Sequence, residues 1–145
     1  MEKKGFLLMV GLFVLVAAAC APTISRPGLT APEALEMLLG KWSGAWEIVG
    51  PAGLRAIDCS MVIKKVDLDQ KIIEINHSWT WIWAAGEEDV RAEYIPPDKF
   101  KFRTKHNILF EYQLKDGILW GTSTGNPNPQ FRNRPGKIKL TKTKE

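Results

Sequence analysis

The chain has 145 residues, a formal net charge of +4 from 20 Lys and Arg against 16 Asp and Glu, and two cysteines. That length fits one domain able to bury a substantial core. The charge is mild and its basic residues are dispersed, which argues against nucleic acid as a partner.

Glu2, Lys3 and Lys4 open the chain with a net positive balance, Gly5 to Val16 is unbroken and apolar, and Ala17-Ala18-Ala19-Cys20 closes the run with small residues. The stretch from Gly5 to Ala19 is shorter than the ~20 residues that cross a hydrocarbon core. It also ends on alanines rather than a charged flank, so it reads as an export signal. The segment resembles the lipobox of bacterial lipoproteins. The resemblance implies that residues 1–19 are removed and that Cys20 is lipidated, for instance with palmitate, and becomes the new N-terminus. Acyl chains contribute ~0.8 kcal/mol per buried CH₂ to membrane anchoring. Ala21 after Cys20, in place of Asp, implies sorting to the outer membrane of the cell envelope, facing the periplasm. Without the signal the balance is 18 basic minus 15 acidic residues, or +3.

Residues 20–29, with two prolines and a glycine and no apolar period, read as a tether. Thr30 and Glu33 have capping-box spacing ahead of Ala34, Leu35, Met37, Leu38 and Leu39, and Gly40 is a stop signal. These predict one short helix. From Trp42 onward the period is two. Apolar faces are predicted for Trp42 to Ile48, Arg55 to Ile63, Ile73 to Trp83, Val90 to Tyr94, Phe100 to Phe102 and Ile108 to Leu114. Asp116-Gly117 is a hairpin turn signal, leading to a seventh strand with Ile118, Trp120, Thr122 and Thr124 on one face. A Pro/Asn-rich loop, Gly125 to Gly136, precedes an eighth strand carrying Ile138 and Leu140 between lysines.

Eight short strands with one apolar face predict an all-β, antiparallel up-and-down barrel over residues 30–142, capped by the helix, with residues 143–145 as a tail. Closure removes two open edges and gives the apolar face an inside. The alternative is an open sheet packed on the helix. Gly40-Lys41-Trp42 is similar to the G-x-W signature of lipocalins and related calycins. The longer run Gly40-Lys41-Trp42-Ser43-Gly44-Ala45-Trp46 and the stretch from Tyr112 to Gly121 also resemble small exported bacterial domains. The resemblance implies a calycin-like barrel whose closed-end tryptophan lies under a basic side chain from near the last strand, here Arg132, Arg134 or Lys137.

His77, Trp79, Trp81 and Trp83 share one face, and inward they would form an aromatic wall for a flat or apolar ligand. Arg55 has inward parity as a cation for an indole face. Small-molecule sites combine apolar walls with a few polar groups, which suits Arg55, His77 and Tyr112. Trp42, Trp46 and Trp120 complete the candidate ligand-facing set. No inward carboxylate is evident in this wall, and the competing reading is that these aromatics are a solid core. Phe131, Arg132 and Arg134 are candidates for a loop covering the barrel mouth. If Cys20 is lipidated, Cys59 has no intramolecular partner and the chain no disulfide framework, and Cys59 reads as a small buried hydrophobe. His77 and His106 are too far apart in sequence for metal-ligand spacing, and nothing resembles a nucleophile elbow or phosphate loop. The expected function is non-enzymatic and cofactor-free. One reading is a lipid-anchored envelope protein binding a small hydrophobic or amphipathic ligand. The other is a filled-barrel module that meets an envelope protein, for instance as a protease inhibitor.

Overall fold

The Glu33 carboxylate accepts hydrogen bonds from the Thr30 amide at 3.0 Å and its hydroxyl at 2.7 Å. This contact holds the N-terminus of α1 (Ala31–Leu38), which buries Ala34 and Leu38. Helix ends without such partners leave amides unsatisfied. Gly40, at φ +110, then turns the chain into the sheet, a conformation that glycine adopts without penalty.

The computed structural model describes residues 30–82, 84–125 and 135–144. After α1 come β1 (Gly40–Gly50), β2 (Gly53–Asp67), β3 (Ile72–Trp81), β4 (Ala84–Ile95), β5 (Lys99–Arg103), β6 (Leu109–Lys115), β7 (Ile118–Thr124) and β8 (Gly136–Lys142). Each strand pairs antiparallel with the next, and β8 returns to β1, closing the barrel. The open-sheet alternative is thereby set aside.

Alternation puts Trp42, Trp46, Ile57, Met61, Ile73, Phe100, Phe110 and Leu140 inside. The outer face is polar, with Lys64 paired to Asp89 at 2.7 Å and Asn76 donating to Glu87 and Asp89. A bulge between Ile63 and Lys65 lets Lys64 and Lys65 both face out before Val66 returns to the core.

The phase of β7 differs from the expectation. Asp116 and Gly117 both have positive φ, and Lys115 pairs with Ile118 across the two-residue turn. Ile118 therefore continues the outward face of Lys115, and Leu119, opposite Leu114, is the buried residue. Trp120 consequently stands on the outer wall.

The strand pairing is uneven. β4 and β5 share register only at Glu93–Lys101, Tyr94–Phe100 and Ile95–Lys99, so the first part of β4 diverges from the β5–β6 connection.

Candidate functional site

The two ends of the barrel differ. At the closed end the Trp42 indole N–H donates to the Leu38 carbonyl at 2.8 Å. The Lys142 ammonium lies 5.7 Å from the Trp42 ring centroid and donates to the Met37 carbonyl at 3.0 Å. Trp42 thus pins the helix to the barrel rather than facing a ligand. The cation above it is Lys142, which β1–β8 register sets opposite Trp42. Lys137, one of the three expected candidates, lies exposed opposite Glu47. Arg132 and Arg134 lie outside the described residues, as do Phe131, Trp83 and Cys20.

The middle layers are filled by side chains. The Trp46 indole donates to Ser123 Oγ at 2.8 Å and meets Phe110 edge-on at 5.1 Å. Phe100, Phe102, Phe110 and Tyr112 stack with near-parallel rings, at 5.1 Å for Phe100–Tyr112 and 5.3 Å for Phe102–Phe110. His77 sits against this stack, 4.9 Å from Phe110 and 5.3 Å from Phe102. Trp46, His77 and Tyr112 are therefore core residues. Burial pulls the His77 pKa down to about 4 and pushes the Cys59 thiol up to about 12. His77 Nε2 lies 3.5 Å from Cys59 Sγ. Cys59 is buried and in no disulfide, the Tyr112 hydroxyl lies against its thiol, and His77 Nδ1 has no hydrogen-bond partner.

Beyond this stack, toward the end opposite α1, the wall opens. Trp79 and Trp81, on the same face of β3 as His77, are only partly buried. Trp79 lies over Gly86, where a Cβ would fall 2.5 Å from the indole. The Arg55 guanidinium lies 6.0 Å from the Trp81 ring centroid, at the limit of a cation–π contact. Arg55 itself is exposed, and among the described residues no carboxylate pairs with it. Of the expected wall, the structure brings Arg55, Trp79 and Trp81 together at the open end.

Sequence reasoning missed Glu88. It lies opposite His77 in the β3–β4 register, on the inward face, and its carboxylate accepts the Lys105 amide at 3.1 Å. That bond spans the divergence between β4 and the β5–β6 connection. Continuing the alternation of Val90, Ala92 and Tyr94 back by one step would have found it. Beside it, Trp79, Gly86, Glu88, Lys105 and His106 line a cleft of about 170 Å³.

Trp120 belongs to neither group. Its indole is 45% exposed on the outer wall, under Lys139 at 5.2 Å, beside a shallow groove of about 580 Å³ over β1, β7 and β8. Its expected place in the interior wall is corrected by the turn phase. Among the described residues no group of three or more His, Cys, Asp or Glu side chains is placed to hold a metal. No family model, curated protein or solved structure matches the chain.

Proposed function

We propose that this protein is a lipid-anchored, calycin-like barrel of the bacterial cell envelope that takes one small amphipathic ligand at its open end. The observation that carries the reading is the exposed Arg55 guanidinium beside half-buried Trp81 and Trp79. A flat or acyl body stacks on the indoles and an anionic head meets Arg55. Sites of this kind combine an apolar wall with a few polar anchors. The stacked rings of Phe102, Phe110 and Tyr112 form the floor, so the ligand is held at the mouth and not deep in the barrel. Cys20 carries the acyl chains, and the activity is binding rather than catalysis.

Titrating the chain with a fatty acid and a lysophospholipid, with tryptophan emission as the readout, tests the site. A saturable blue shift, at least tenfold weaker in Arg55→Ala and in Trp81→Ala, is expected. No response to either ligand, or an unchanged response in both variants, defeats it. For the anchor, labelled palmitate is incorporated by the native chain and lost in Cys20→Ser.

The filled middle layers favour a second reading, a non-enzymatic interaction module with a solid barrel, such as an envelope protease inhibitor. That reading gains if neither ligand responds and the chain co-purifies with an envelope protein.

A further inference from the structure

Cys59, Met61 and His77 form a cluster that the ligand-binding reading does not use. Met61 and His77 are directly paired across β2 and β3, and Cys59 lies one inward step along, opposite Trp79. Alternation turns all three into the barrel, and each is at most 2% exposed. Cys59 Sγ and His77 Nε2 are 3.5 Å apart. As a thiol–imidazole hydrogen bond this is weak, because S–H is a poor donor. As the edge of a three-coordinate metal site it fits to within a small adjustment: ligand bonds of ~2.3 Å to sulfur and ~2.0–2.1 Å to nitrogen, meeting near ~120°, place the two atoms ~3.8 Å apart.

We propose that this cluster is a binding site for a single soft monovalent metal ion, Cu(I), held by Cys59 Sγ and His77 Nε2 with the Met61 thioether as the adjacent soft donor. Three arguments select the ion. Thiolate and thioether donors favour soft metals. Charge is the second. Binding proceeds as Cys59–SH + Cu(I) → Cys59–S–Cu(I) + H⁺, with the proton released to solvent and no change of oxidation state. The thiolate cancels the single positive charge beside a neutral imidazole, whereas Zn²⁺ would leave an uncompensated charge among aromatic rings. Coordination number is the third. Structural zinc takes four ligands, and the described residues offer no group of three His, Cys, Asp or Glu. Three-coordinate Cu(I) needs only Cys59, His77 and Met61.

Tyr112 supports the assignment. Its hydroxyl is fully buried against the Cys59 thiol. A metal-bound thiolate is a stronger acceptor for that hydroxyl than the neutral thiol, and the O–H···S⁻ contact would tune the site from outside the ligand set. Burial keeps Cys59 protonated in the ion-free barrel, so the ion must displace that proton and affinity rises with pH.

The test is an anaerobic titration of the metal-free full chain with Cu(I) in competition with a chromophoric chelator. It is run on the native chain and on chain refolded from urea with the ion present, so that slow entry cannot hide the site. Expected are one Cu(I) per chain, one proton released, a thiolate-to-metal band in the ultraviolet, and sulfur and nitrogen in the first shell by X-ray absorption. Cys59→Ser should lose the band and the Cu(I)-dependent rise in Tm. His77→Gln should lose the nitrogen ligand, and Tyr112→Phe should weaken binding about tenfold. No binding under either protocol overturns the proposal, as does an unchanged stoichiometry in Cys59→Ser or a Zn²⁺ affinity equal to that for Cu(I). If the variants fail to fold, the first-shell composition of the native chain decides alone.

Discussion

Two glycines show how closely single residues are fitted. At Gly121 a Cβ would fall 2.7 Å from the Tyr112 ring and 3.1 Å from the Glu111 carbonyl oxygen. Gly121→Ala must move a stacked ring of the core, and overpacking of this kind costs about 1–3 kcal/mol, measurable as a lower urea midpoint. At Gly86 the obstructed group is Trp79 at the mouth. Gly86→Val should displace that indole and weaken amphiphile binding while leaving the closed end intact, which tryptophan emission and ligand titration would show together. His77 adds a pH signature in the metal-free chain. Its folded pKa of about 4 lies below the ordinary 6.5, so between those values the unfolded chain binds a proton that the folded chain refuses. Stability therefore falls as pH drops from 6.5 to about 4, by about 3 kcal/mol for a shift of this size. Urea midpoints across that window should flatten in His77→Leu. The thiol gives the opposite limb. With Cys59 raised from 9.0 to about 12, stability falls as pH rises through that range, and Cys59→Ser removes this contribution.

At the scale of elements, the helix is held through its last turn. The Trp42 indole and the Lys142 ammonium satisfy the carbonyls of Leu38 and Met37, which have no partner within the helix. Trp42→Phe keeps most of the apolar area but strands a buried carbonyl, a loss of about 2 kcal/mol. Thermal unfolding followed by circular dichroism would register it. The G-x-W pattern was legible in the sequence, but the partner cation was not, because the register of β8 on β1 selects it. The phase of β7 was legible in principle. A two-residue turn with positive φ at both positions pairs its flanking residues, and that rule puts Leu119 inside and Trp120 outside. The face of Ile118 and Trp120, expected inward, is therefore the outer one.

For the whole molecule, closure gives every strand two neighbours, yet the β4–β5 join is short. The first part of β4 is paired to β3 on one side, and on the other the Glu88–Lys105 bond bridges the gap. Hydrogen exchange should find the β4 amides between Ala84 and Val90 that face this gap the least protected among the strands, with Glu88→Gln raising their rate further. Uniform protection around the barrel would contradict that picture. Strand number, the capped helix and most of the inward set were determined by the sequence itself, because period-two alternation and turn residues act locally. The approach of Cys59 to His77 and the separation of the six described tryptophan and arginine candidates into a pinned end, a filled middle, an open mouth and an outer wall were decided only by the tertiary structure, which also bore out the expected closure over the open-sheet alternative. Those outcomes depend on which strand end faces α1 and on register between strands distant in the chain, and no local pattern of residues encodes either.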